Sequence, residues 1–432
     1  MIVGPCTIVT GGAEPRVLED AAVRVVGGHV AQVGSAGVLA AAHPEETVWP
    51  ARGALLLPGL VNAHAHLARH LARGRALGSP RDWERYDRAL SANDVHWAAV
   101  AALAEGVRHG VTTVCDFHRS GRCLDFSLHE VIEAAARVGV RVAACYGLAD
   151  SDPPADRRAA LEENLGFARD LARRREGRLD AVLGVRASSL PGLERLVQES
   201  FDAAGEALAV HVDLGLDSTP AERWRGGEAW PQGTPSALWA HADRAPRALV
   251  TAARERGDAL SATGAGSLTA LARETALAWG SDAGLNAPPL PESAPVWSGE
   301  RELSELHYRR VFVSGARWAS QRFGERLGVI EPGAPADLIA GRLPSGDRPR
   351  HRRAAGASGG RDAARPGERR DGRRRDRARP GDAGHARRER DRGPRARVRA
   401  PRVGAARSLS LTLPFGVRPA PASCSCRDTA RG

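Results

Sequence analysis

Lysine is absent from all 432 residues, and every one of the 62 basic side chains is arginine. With abundant Ala, Gly and Pro, this points to a coding sequence of very high GC content. Cysteine is sparse: Cys6, Cys115, Cys123, Cys145, Cys424 and Cys426. None forms a Cys-x-x-Cys pair, which argues against a disulfide framework and a zinc ribbon and fits a reducing cytoplasm. No uncharged apolar run is long enough to span a bilayer, and Met1-Ile-Val-Gly-Pro-Cys lacks a basic leader region. Neither a membrane span nor a signal peptide is expected.

The net charge of +11 is unevenly spread. From Gly341 onward there are 26 Arg against 9 acidic residues, so the rest of the chain stands at −6. Hydrophobic content of 42% supports a globular core in that mildly acidic body. The tail, residues 341–432, is Arg-, Gly-, Pro- and Ala-rich. Up to about residue 407 it has almost no apolar periodicity and cannot offset chain entropy by burial, so disorder is expected there. A shifted reading frame in a GC-rich gene would yield this composition. A nucleic-acid-binding tail is the functional alternative, but it lacks interleaved aromatics for base stacking.

Residues 1–57 read as short strands with glycine turns. Ala22 to Val33 alternates about Gly27-Gly28, as a hairpin does. From residue 58 strand and helix alternate. Strand candidates are Leu55–Ala63, Val111–Asp116, Val140–Tyr146, Ala181–Ala187, Ala207–Val212, Ala237–Ala240, Ala259–Ala262 and Ala276–Gly280, with helices between most of them. The expectation is an α/β fold: a (β/α)8 TIM-type barrel over 58–323, with chemistry at the C-terminal strand ends. A small β-sandwich is built mainly from the N-terminal segment, to which 324–340 return.

The central stretch is Leu57-Pro-Gly-Leu-Val-Asn-Ala-His-Ala-His. Residues two apart share a strand face, so His64 and His66 leave the same side. Two imidazoles so placed suit zinc or iron, although two histidines satisfied by backbone partners explain the spacing equally well. His211, His241 and Asp282 end the fifth, sixth and eighth strand candidates. Three His and one Asp on one rim bind a divalent metal and leave a position for water, whose proton Asp282 would take.

Together with Gly110-Val-Thr-Thr-Val-Cys-Asp, Gly280-Ser-Asp-Ala-Gly and Leu327-Gly-Val-Ile-Glu-Pro-Gly-Ala-Pro-Ala-Asp-Leu, these residues resemble the amidohydrolase superfamily, in its cytosine-deaminase, chlorohydrolase and SsnA-like aminohydrolase branch. The resemblance implies a metal-dependent hydrolase of a non-peptide C–N bond, a deaminase or amidohydrolase, on a small cyclic or amidine-bearing substrate. It places one divalent metal, zinc or else iron, on His64, His66, His211 and Asp282, and gives His241 a contact to water or substrate. Some members bridge two metals with a carboxylated lysine, which this chain cannot supply.

Three departures stand out. The branch carries His-x-x-Glu after the fifth strand, and here that position is Leu214. Asp213 is expected to face away, so Asp217 becomes the candidate proton carrier, with capping of the next turn as its structural alternative. Arg186-Ala-Ser-Ser stands where relatives carry His-Ala-Ser, and Arg186 reads as either a salt-bridge partner or a substrate-carboxylate ligand. Ala262-Thr-Gly-Ala-Gly-Ser replaces Pro-x-Ser-Asn, which implies a different substrate pocket. The Leu214 departure supports a second reading, a catalytically silent metal-binding relative acting as a scaffold subunit. The expected partner is a small molecule, with no membrane; homo-oligomerisation is compatible with the sequence.

Overall fold

The computed structural model describes residues 1–73, 75, 77, 79–174, 176–214, 230, 233–263, 277–283 and 301–342. Asp217 and the tail beyond Arg342 lie outside them, so the expectations for both concern residues not described.

Five strands open the chain: β1 (Ile2–Val9), β2 (Val17–Val26), β3 (His29–Ser35), β4 (Val48–Trp49) and β5 (Ala54–Pro58). The last described strand, Leu338–Arg342, returns to pair antiparallel with β5, Ala340 opposite Leu56. The sheet runs Leu338–Arg342, β5, β1, β2, β3, with β4 on β1. Its core is Val3, Ile8, Val23, Leu56 and Ile330. Gly27 and Gly28 make the expected hairpin turn, both with positive φ, the backbone twist a two-residue hairpin requires.

Eight staves then run parallel: β6 (Leu60–Ala65), β7 (Val111–His118), β8 (Arg141–Ala149), β9 (Leu179–Ala181) continued by β10 (Leu183–Arg186), β11 (Val210–Asp213), β12 (Leu238–Ala240), β13 (Ala259–Thr263) and β14 (Ala278–Gly280). The two ends meet where Asp282 N–H donates to His64 O and His66 N–H donates to Asp282 O, both at 3.0 Å. Intervening helices include Ala92–Arg108, Ser127–Val138, Pro154–Arg174, Leu190–Ala204 and Arg247–Glu255. Apolar residues between staves and helices form the largest core. The barrel interior holds small residues, Ala63, Ala143, Ala209 and Ala278, around Phe117 and Trp318. That accounts for alanine-rich staves: a narrow barrel has room for few large side chains.

The first stave differs from its expected form. Leu55–Ala63 is not one strand but two elements meeting at Gly59. Gly59 N–H donates to Asp337 O in the return segment, and Leu60 N–H donates to Gly110 O ahead of β7. The chain thus changes partners within two residues. Gly59 also packs where a Cβ would collide with the Thr112 side chain. The late helical region is Arg301–Tyr308 and Gly315–Phe323 joined by a π-helical turn, Arg309–Ser314. Among the described residues no helix is long and apolar enough to cross a membrane.

Candidate metal centre

Parallel staves bring all their C-terminal ends to one rim. There the structure gathers His64 from β6 and His66 just after it, His211 and Asp213 from β11, His241 after β12 and Asp282 after β14. His64, His66, His211, Asp213 and His241 are all buried. His241 and Asp282 have φ of 60° and 56°. That left-handed conformation costs a non-glycine residue of order 1 kcal/mol or more and recurs where a site over-determines the backbone.

Each ring is held by its far nitrogen. His66 Nδ1 lies 2.6 Å from Phe117 O. A carbonyl only accepts, so Nδ1 carries the proton and Nε2 presents a lone pair. His241 Nδ1 meets Thr263 Oγ1 at 2.8 Å. His64 Nδ1 meets His211 Nε2 at 2.9 Å, so one of these nitrogens donates to the other. Asn62 braces the rim by accepting from Ser281 N–H at 3.0 Å and donating to Ser281 Oγ at 2.8 Å.

The remaining atoms converge. His64 Nε2, His66 Nε2 and Asp282 Oδ1 are buried and have no hydrogen-bond partner. Asp282 Oδ1 lies 3.3 Å from His66 Nε2 and 3.9 Å from His64 Nε2. Burial, chiefly, holds the pKa of His64 and His66 well below the usual histidine value. Burial also lowers His211, to about 4. Near pH 7 these rings are neutral. Lone pairs of a neutral imidazole and a carboxylate therefore face each other with no proton between them. Donors bonded to a tetrahedral zinc at ~2.0–2.1 Å stand roughly 3.3 Å apart, close to what is seen here. The residues fit a divalent cation. His64, His241 and Asp282 form one group with ligand atoms all within 4.8 Å, and His64, His66 and Asp213 form another. His211 stands beside them against His64, its Nδ1 3.9 Å from Cys145 Sγ.

Asp213 does not face away. His211 and Asp213 are two residues apart on a strand, so they share a face just as His64 and His66 do. Asp213 is fully buried, Oδ1 3.5 Å from His241 Nε2 and Oδ2 3.8 Å from His66 Nε2. Arg186 Nε donates to Asp213 Oδ2 at 3.0 Å, and its NH2 group makes a second, shorter contact. Arg186 is thus a salt-bridge partner. Burial pushes the Asp213 carboxyl up, but Arg186 and then the histidines outweigh it and hold its pKa well below the ordinary value. Leu214, on the opposite face, packs against the main core. Below the rim, Asp116 Oδ1 accepts from Leu67 N–H at 2.8 Å. Sequence reasoning missed Asn62 and Thr263, whose side chains reach partners 219 and 22 residues away.

The family model described as "Amidohydrolase family" matches residues 55–228. A 5-methylthioadenosine/S-adenosylhomocysteine deaminase of Moorella thermoacetica is 30% identical over 221 residues, covering 50% of this chain and 49% of that protein. A 5'-deoxyadenosine deaminase of Methanosarcina barkeri is 25% identical over 220 residues, covering 50% and 48%. The chain spans about half the length of the curated relatives it matches. A zinc-bound adenosine deaminase from Xanthomonas campestris has the same fold, with TM-score 0.60 and 20% identity over 81% of this chain and 86% of that one. A zinc-complexed atrazine chlorohydrolase from Arthrobacter aurescens gives TM-score 0.58 and 19% identity over 79% and 87%. The rim histidines His64 and His66 stand near the start of the segment that the family model matches, and the barrel they crown is the fold these structures share: over residues 55–228 the chain is similar to the amidohydrolase family.

Proposed function

We propose that this protein is a metal-dependent hydrolase that deaminates, or otherwise cleaves a non-peptide C–N bond in, a small cyclic or amidine-bearing molecule. One observation carries the reading: His64 Nε2, His66 Nε2 and Asp282 Oδ1 are buried without hydrogen-bond partners, Asp282 Oδ1 lying 3.3 Å from His66 Nε2 and 3.9 Å from His64 Nε2 at the barrel rim. The ion is one divalent metal, zinc in the first instance and iron as the alternative, held by His64, His66, His211 and Asp282. A bound divalent metal makes water nucleophilic at neutral pH and polarises the carbon under attack. Phe117 O orients His66 and Thr263 orients His241, so that His241 Nε2 faces the reacting water or substrate. The Asp282 carboxylate takes the proton of the attacking water. Asp217, outside the described residues, is the candidate donor to the leaving amine. The free thiols Cys6, Cys115, Cys123 and Cys145 suit the reducing cytoplasm in which we place the protein.

The two curated relatives described above are named as deaminases of adenosine derivatives, whose six-membered ring presents an amidine carbon, so adenosine-type nucleosides are the first substrates to test. Elemental analysis should find one metal per chain, and ammonia should be released from 5-methylthioadenosine, S-adenosylhomocysteine or 5'-deoxyadenosine. Metal without turnover on a broad amine-release screen would favour the silent relative. Leu214, a core-packed leucine where relatives carry Glu, is the observation behind that second reading.

A further inference from the structure

We infer that Asp213 is itself a ligand of the metal at this rim, and that Arg186 is the residue that positions it. The inference rests on the metal reading above and extends its ligand set to a second carboxylate.

Position is the first argument. Strand β11 delivers His211 and Asp213 to the same face. Both oxygens of Asp213 lie within 4 Å of ring nitrogens that border the site, Oδ1 near His241 and Oδ2 near His66. With His64 and His66 it forms one of the two rim groups compact enough for a single ion. The second argument is the His66 tautomer. Nδ1–H is committed to Phe117 O, which leaves Nε2 turned towards Asp213 Oδ2 at 3.8 Å, too far for a direct hydrogen bond. A cation between them turns two opposed lone pairs into two ligands. The third argument is Arg186. Its guanidinium bonds to Oδ2 through Nε and NH2 and lies 5.8 Å from the Phe117 ring centroid. It fixes the carboxylate's rotation and offsets its charge, which a site holding both Asp282 and Asp213 needs. An outer partner of this kind orients a ligand and tunes it.

The competing reading is that Asp213 serves only to neutralise Arg186. The two are separated by metal affinity, measured on the full chain by competition with a chromophoric chelator for Zn2+, and by the visible spectrum after loading with Co2+, whose band intensities report coordination number. Asp213→Asn should weaken Zn2+ binding at least tenfold and change the Co2+ bands. That variant leaves the half-buried Arg186 without its partner and is liable to misfold. The double variant Asp213→Asn/Arg186→Met removes the pair together and guards against this. It too should show the weakened affinity and the altered bands. Arg186→Gln keeps the carboxylate and should keep the Co2+ coordination number. A double variant that folds and binds with parental affinity and spectrum overturns the inference while leaving the metal site standing. A parent chain that takes up neither ion overturns the metal reading and this inference with it.

Discussion

Gly280→Ala tests whether the barrel seam and the site are one structure. Gly280 ends β14, two residues before Asp282. A Cβ there would stand 2.9 Å from His64 Cβ, 3.1 Å from His64 O and 3.2 Å from His64 N. None of these atoms is the end of a flexible side chain. They belong to the backbone of the facing stave or to the root of its ligand. Carbon contacts settle at about 3.5–4.0 Å, so the methyl must push β14 and β6 apart by roughly half an ångström or more. This is the seam closed by the two 3.0 Å bonds between Asp282 and residues His64 and His66. Overpacking of this kind costs ~1–3 kcal/mol. For a barrel of this size each kcal/mol moves Tm by ~2–4 °C, so the metal-free variant should melt roughly 2–12 °C below the parent. The same displacement separates Asp282 Oδ1 from His64 Nε2, so Zn2+ affinity should fall as well. Gly166→Ala is the control. It sits within the helix Pro154–Arg174 with nothing within 4 Å of its added Cβ, and alanine there should stabilise by ~0.5–1 kcal/mol. Thermal melts followed by circular dichroism, with and without metal, read both. A Gly280→Ala protein with parental Tm and parental Zn2+ affinity would refute the reasoning.

The double variant His64→Ala/His66→Ala should retain no stoichiometric metal; full occupancy by elemental analysis would refute the site. His118 is buried beside Ser120, and burial lowers its pKa to about 3. The unfolded chain binds that proton near pH 6.5, so the stabilisation is complete above 6.5 and is lost as pH falls towards 3. By pH 4 the loss is roughly 3 kcal/mol. Urea midpoints of His118→Gln should therefore vary less between pH 7.5 and pH 4 than those of the parent, and parallel curves would contradict this. Glu163 caps the helix Ser127–Val138 from outside it, accepting from Phe126 N–H at 2.8 Å and Leu128 N–H at 2.9 Å. Glu163→Gln replaces one charged acceptor with a donor and should cost ~1–3 kcal/mol in denaturant unfolding; an unchanged midpoint would show the cap to be dispensable.

What could be read without coordinates was local. Apolar stretches ending in His64 and His66, in His211, in His241 and near Asp282 reveal strands, because alternation and chain breaks are properties of neighbouring residues. The same period of two placed His64 and His66 on one face, and it applies equally to His211 and Asp213. Set against the position of a relative's glutamate, Asp213 reads as facing away; set against His211, two residues earlier on the same strand, it shares the face. Other features were not legible at all. Leu55 to Ala63 looks like one strand, and only the competing partners Asp337 O and Gly110 O divide it at Gly59. Arg186 is an unremarkable arginine until β10 and β11 pair in register and set it against Asp213. The amino-acid sequence by itself determined which segments become staves and which ligand-type side chains end them. Tertiary structure alone decided which of those ends converge, which nitrogens of His64 and His66 stay bare and which carboxylate faces the histidines. Those depend on the closure of eight paired strands, where the register of every pair contributes to the distance between Asp282 and His64, and no local stretch of sequence contains that geometry.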